Sequence, residues 1–209
     1  MYIQLKHVSK RIKQDILLDD ISLEFQGGKV YGLQGKNGSG KTMLMRAICG
    51  LITLSEGEID INGDILHKDI SFPESIGALL ENPSFLNGYT GLENLKLLAD
   101  IQGKIKEKEL RECLTKVGLE ADDKRVYRKY SLGMKQKLGI AAAVMGNPDI
   151  VILDEPINAI DEAGVEKVRE ILRELKAKGS VIIVACHDRE ELNLLSDEII
   201  NISEGRIIV

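Results

Sequence analysis

Apolar residues alternate with polar ones at Ile3, Leu5 and Val8, and again at Ile21, Leu23 and Phe25. A period near two predicts half-buried strands, and two such runs so close along the chain predict an antiparallel pair. Val30-Tyr31-Gly32-Leu33 is a short apolar strand running into a Gly-rich loop. From Thr42 to Leu51 apolar residues recur at helical spacing, ending at Gly50. Gly57 to Leu66 predicts a hairpin turned at Asn62-Gly63, a dipeptide that accepts the positive φ angles of a tight turn.

The middle of the chain changes to helical periodicity. Thr90 and Glu93 form a T-x-x-E capping box ahead of Leu95, Leu98, Ala99 and Ile101, and a second helix sets Leu110, Cys113, Leu114 and Val117 on one face before Gly118. A third helix is predicted after Ser131. These helices lie between two α/β portions, so residues 82–147 read as a helical subdomain inserted in one domain spanning 1–209, with 1–81 and 148–209 as its core. After Pro148 come the apolar strand DIVILD, a helix carrying Val165, Val168, Ile171, Leu172 and Leu175, and the strand VIIVAC ahead of His187. Strands alternating with helices imply a parallel sheet covered by helices. EIINIS, an E-G-R turn and IIV follow.

Bulk properties narrow the class. The 209 residues are 44% hydrophobic and 29% charged, enough for one full core. Apolar runs are interrupted well before the roughly 18 to 20 residues of a membrane span, and MYIQLKHVSK has no secretory apolar region, so a cytoplasmic protein is expected. Three cysteines without a CxxC pair argue against a disulfide framework or zinc site. A net charge of -5 supplies no global basic field, and no nucleic-acid partner is expected.

Candidate chemistry starts at Gly35-Lys36-Asn37-Gly38-Ser39-Gly40-Lys41-Thr42, which fits G-x-x-x-x-G-K-[ST] between a predicted strand and helix. Such glycines let backbone N–H groups turn around phosphate oxygens, the lysine reaches the β- and γ-phosphates, and the Thr42 hydroxyl suits Mg²⁺. Asp154 and Glu155 end an apolar strand, where open α/β sheets bind ligands. Alone, an acidic pair there is more often a turn or a helix cap. Combined with the phosphate loop, Asp154 is expected on the metal side and Glu155 as the base that polarises water.

With these motifs in this order the chain resembles an ABC-family nucleotide-binding domain over essentially its whole length. The resemblance implies an α/β fold, a P-loop NTPase of ABC type with a RecA-like core, an antiparallel β portion and the inserted helical subdomain. It implies ATP and Mg²⁺ as ligands, with Met43 joining the loop residues around the nucleotide. Tyr130-Ser131-Leu132-Gly133-Met134-Lys135-Gln136-Lys137-Leu138 matches the family's signature, whose Ser131 and Gly133 would contact the γ-phosphate held by the opposite subunit. His187 matches the switch histidine. Asp161, in Asn158-Ala159-Ile160-Asp161, would couple the two sites of a dimer and is locally a good helix N-cap.

The chain departs from the family pattern in three places. The residue that stacks on adenine falls at Ile12, leaving aliphatic contact in place of a π-face. Leu132 and Met134 replace the commoner Gly and Gln of the signature. Glu81, in ALLENPSF, replaces the Gln that touches Mg²⁺ and faces the membrane partner. These features resemble the bacitracin-resistance and lantibiotic-immunity branch of exporters. The expectation is therefore a transport ATPase, peripheral on the inner membrane face through a transmembrane permease. It would close as an ATP-dependent head-to-tail dimer with itself or a homologous ATPase. A soluble ABC ATPase of DNA repair or translation would have a long coiled coil or tandem domains. A GTPase or kinase leaves the Ser131 segment unexplained, and an ATP-gated regulator without hydrolysis does not need both Glu155 and His187.

Overall fold

A computed structural model describes residues 1–103 and 105–208. Strands β1 (Tyr2–Ile12) and β2 (Asp15–Gln26) pair antiparallel, with Ile3 opposite Phe25 and Leu5 opposite Leu23. The next pair is Val8 with Ile21, so β1 advances three residues while β2 advances two. That extra residue is a bulge, and His7 takes it up at φ 52°. The bulge keeps Leu5 and Val8 both buried. Strands β4 (Glu56–Ile61) and β5 (Asp64–Ile65) complete this sheet in the order β2-β1-β4-β5. Their turn has Asn62 and Gly63 at positive φ, 55° and 99°, as a type I′ turn requires.

The second sheet has the order β10-β9-β3-β8-β7-β6. Strands β3 (Lys29–Gln34), β6 (Ile76–Leu79), β7 (Ile150–Asp154), β8 (Val181–Ala185) and β9 (Glu198–Ser203) run parallel, and β10 (Arg206–Ile208) returns antiparallel on the edge. Successive residues point to opposite faces of a strand, which divides the core in two. Ile150, Ile152, Val181 and Ile183 pack with the β1–β2–β4 sheet and helix α1 (Lys41–Ile48). Val151, Leu153, Ile182 and Val184 pack with the helices of the other face.

Those helices are α2 (Gly91–Gln102), α3 (Glu107–Lys116), α4 (Leu132–Val144), α5 (Glu162–Ala177) and α6 (Arg189–Leu195), with a short 3-10 turn at Tyr127–Lys129. The capping box forms: the Thr90 N–H donates to Glu93 Oε2 at 2.7 Å and the Glu93 N–H to Thr90 Oγ1 at 3.3 Å. Leu95, Leu110, Leu114 and Leu138 join the cluster that covers the sheet, so the helical region shares its core with the strands that carry the site. Among the described residues β6, α6 and the 3-10 turn at Tyr127–Lys129 were not anticipated. Cys49 and Cys186 are buried, and burial pushes their thiols up to about 12 and about 11, as suits small apolar core residues.

Candidate active site

Parallel strands deliver their C-terminal ends to one rim, and the loops after β3, β7 and β8 meet there. The loop after β3 is the phosphate loop. Gly40 precedes α1 at φ 110°, and a Cβ on it would lie 2.9 Å from the Leu17 carbonyl oxygen, so no side chain fits that approach. At Gly38 a Cβ would meet nothing within 4 Å; the loop there opens onto a cavity of about 380 Å³. The Lys41 ammonium folds back over the loop, donating to the Gly35 carbonyl at 2.6 Å and the Lys36 carbonyl at 3.2 Å. Ser39 is buried, and its hydroxyl has no hydrogen-bond partner among the described residues. A buried hydroxyl without a partner, in a glycine-rich loop at the start of a helix, is what a phosphate oxygen would satisfy.

From β7 comes Asp154, whose Oδ2 accepts the Thr42 hydroxyl at 2.7 Å. This joins the start of α1 to the end of β7 and places two hard oxygen donors side by side, a set that fits Mg²⁺. Glu155 follows in the left-handed region, φ 52°, with its N–H bonded to the Ala185 carbonyl at 2.9 Å. The twist turns its carboxylate toward the end of β8. There the His187 N–H donates to Glu155 Oε2 at 3.1 Å, and His187 Nε2 lies 3.5 Å from Oε1. Burial raises the Glu155 pKa; the His187 N–H and ring partly oppose this, and the neighbouring Asp154 adds to it. From behind, the buried Gln136 amide of α4 donates to the Glu155 carbonyl at 2.8 Å and the Pro156 carbonyl at 3.3 Å.

The cavity is thus lined by Asn37, Gly38, Ser39, Gly40, Lys41, Thr42, Met43, Glu81, Asp154, Glu155 and His187, all anticipated, and also by Leu17, Asn82, Gln136 and Asn158. Glu81 stands just beyond β6 at φ 60°, its carboxylate paired with Arg46 of α1 at 2.7 Å. Chemically, the cavity offers a nest for an anionic chain, a hydroxyl–carboxylate pair for a cation, and a desolvated carboxylate steadied by a histidine. The family model described as ABC transporter matches residues 18–158. The chain belongs to the ABC transporter family.

Its relatives bear this out along the whole chain. The ABC transporter ATP-binding protein YybJ of Bacillus subtilis is 45% identical over 205 residues, covering 98% of this chain and 94% of its own. The bacitracin transport ATP-binding protein BcrA of Enterococcus faecalis is 35% identical, covering 99% of this chain and 68% of its own length. The lantibiotic transport ATP-binding protein SrtF of Streptococcus pyogenes is 34% identical, with 99% and 89% covered. Among solved structures, an ATP-binding subunit of an ABC transporter superposes with a TM-score of 0.91 at 27% identity, covering 100% of this chain and 89% of that one. A dimeric, post-hydrolysis ATP-binding cassette holding ADP and Pi gives 0.89 at 25% identity, with 99% and 97% covered. The fold is therefore the ABC-type P-loop fold, and the chain is an ATP-binding, ATP-hydrolysing subunit. Among the described residues no helix is long and apolar enough to cross a membrane.

Five expected residues lie outside the cavity lining, one of them Gly35, which meets the site only through its carbonyl's bond from Lys41. Ile12 ends β1, paired with Asp15 at a hairpin tip and 48% exposed, whereas Leu17 of β2 reaches the cavity wall. Ser131 caps α4, its hydroxyl accepting the Met134 N–H at 3.2 Å, and Gly133 sits where a Cβ would come 2.6 Å from the Ala159 carbonyl oxygen. Asp161 holds the N-cap position of α5 without the capping bond expected of it. Its carboxylate turns instead to Lys137 of α4 at 2.8 Å, and that ammonium holds it below the usual carboxylate range. Gln136 stands inside the signature segment, whose pattern assigns it no role of its own. Arg46 was passed over, although one helical turn after Thr42 it had to share that residue's face.

Proposed function

We propose that this ATPase drives a membrane exporter of peptide antibiotics or similar compounds, as one of two subunits that close head to tail around ATP. What carries the reading is the meeting, in one cavity, of Thr42 with Asp154 and of Glu155 with His187. In it Lys41 leaves the Gly35 and Lys36 carbonyls for the β- and γ-phosphates, and the backbone of Gly38 to Thr42 wraps them with Ser39. Thr42, Asp154 and Glu81 would hold Mg²⁺, which when bound neutralises charge on those phosphates. Glu155 takes a proton from the attacking water, and the His187 ring keeps its carboxylate aimed. Ile12 and Leu17 offer the base an aliphatic surface.

In the dimer, Ser131 and Gly133 at the start of α4 present a capped helix N-terminus to the partner's nucleotide, while Asp161, on the segment leading from the subunit's own Glu155 to α5, is tied to α4 through Lys137. Residues 82–147 act as the helical subdomain that, with the segment around Glu81, meets a transmembrane permease, placing the protein on the cytoplasmic face of the membrane. The peptide-antibiotic class rests on the bacitracin and lantibiotic transport named for the relatives, and the outward direction on the resemblance of the motifs to the exporter branch.

Purification of the tagged subunit from detergent-solubilised membranes tests this. A stoichiometric membrane chain is expected, and the reconstituted pair should hydrolyse ATP faster with bacitracin or a lantibiotic present. Isolation without any membrane chain would exclude the transporter, and indifference to both peptides would exclude the substrate class.

A further inference from the structure

Three carboxylates line a cavity that must take a polyanion: Glu81, Asp154 and Glu155. Asp154 is engaged by the Thr42 hydroxyl and Glu155 by His187. Glu81 alone of the three is answered by a guanidinium from outside the lining, Arg46, whose Nη2 lies 2.7 Å from Glu81 Oε1. Arg46 stands in the last turn of α1, one turn beyond Thr42. The pair therefore bridges the helix that carries the hydroxyl ligand and the loop that carries the acidic one. Glu81 also has its backbone in the left-handed region at φ 60°, where a non-glycine residue persists only if its surroundings hold it there.

We propose that Arg46 is a positioning residue for Glu81, neutralising the loop carboxylate and drawing it toward α1 so that nucleotide can enter before metal compensates the charge. The proposal rests on the reading of Glu81 as a carboxylate facing the nucleotide. Without Arg46, Glu81 keeps a full negative charge beside the phosphates. When Mg²⁺ accompanies the nucleotide, a local cation replaces what Arg46 supplied. Both side chains are partly exposed, 36% for Arg46 and 62% for Glu81, so solvent screening limits the effect to about 3- to 10-fold in affinity.

Calorimetric titration of the full chain with the non-hydrolysable analogue AMP-PNP, in EDTA and in Mg²⁺, tests this at low salt. Arg46→Ala is expected to weaken metal-free binding about 3- to 10-fold and Mg²⁺-supported binding less than about twofold. Arg46→Lys should recover most of the loss, which separates charge from folding. The double variant Arg46→Ala/Glu81→Gln should bind metal-free analogue as well as Glu81→Gln alone. Equal loss with and without metal, or a double variant as weak as Arg46→Ala, would overturn the pairing. If Glu81→Gln changes neither titration, the underlying reading of Glu81 has failed. If Glu81→Gln changes them while Arg46→Ala does not, that reading stands and only the role of Arg46 falls.

Discussion

A carboxylate that takes a proton from water works best when its pKa approaches the working pH, and burial moves Glu155 in that direction. Being an acid whose folded pKa lies above its unfolded one, Glu155 costs stability as pH rises through that interval, and the cost remains at neutral pH. Two results should follow from Glu155→Gln. Hydrolysis should fall roughly 10²- to 10⁴-fold with nucleotide binding retained, and the melting temperature at pH 7 should equal or exceed that of the unaltered protein. Calorimetry beside a phosphate-release assay checks both, and a variant that hydrolyses normally removes Glu155 from the mechanism. Hydrolysis by the unaltered protein should fade on acidification at a higher pH than an ordinary glutamate would dictate, which a pH–rate profile measures.

Between elements, the contact with most leverage on the site is the Gln136 amide, which ties α4 to the carbonyls of Glu155 and Pro156. Gln136→Ala would leave the buried Pro156 carbonyl short of a donor, while the Glu155 carbonyl keeps the Asn158 N–H at 3.2 Å, costing about 1–3 kcal/mol. It would also loosen the turn that holds Glu155 at positive φ. Urea unfolding and turnover should both register the change, turnover more than nucleotide affinity; unaltered unfolding and turnover would mean the bonds carry no weight. The sequence made most elements legible because their signals are local. The Thr90 box, the Asn62-Gly63 turn and the phosphate loop each announce themselves within eight residues. β6 was not legible, since Ile76-Gly77-Ala78-Leu79 is too short for a period and becomes a strand by pairing with β7, far along the chain. α6 has seven residues, about two turns. The phosphate-loop residues and the acidic pair that line the cavity sit in local motifs, whereas Leu17, Gln136 and Arg46 act through neighbours up to 35 positions away that no local pattern names. Asp161 takes the N-cap position read from the sequence, whereas its tie to Lys137 has no local signal because that lysine comes from another helix.

At the scale of the whole molecule, Ser131 and Gly133 lie outside the subunit's own cavity. On the proposed dimer, ATPase activity per subunit should rise with protein concentration until subunits pair, and Glu155→Gln with ATP should elute as a dimer in gel filtration. A rate per subunit that is flat across the dissociation range would count against a shared site. The strand order has a separate consequence for how the protein comes into being. β3, which launches the phosphate loop, lies between β8 and β9, pairing Lys29 with Val181 and Tyr31 with Glu198. Such distant partners make for slow, late assembly. During synthesis the phosphate loop leaves the ribosome long before the sheet neighbours of its strand, whose pairing starts at Val181 and Glu198. Nascent chains stalled before Val181 should therefore be protease-sensitive and blind to ATP despite carrying Lys41, Thr42, Asp154 and Glu155, and resistance should appear only once β9 has emerged. On this order of assembly the nascent enzyme should stay silent, with no ATP hydrolysed until β3 has met β8 and β9.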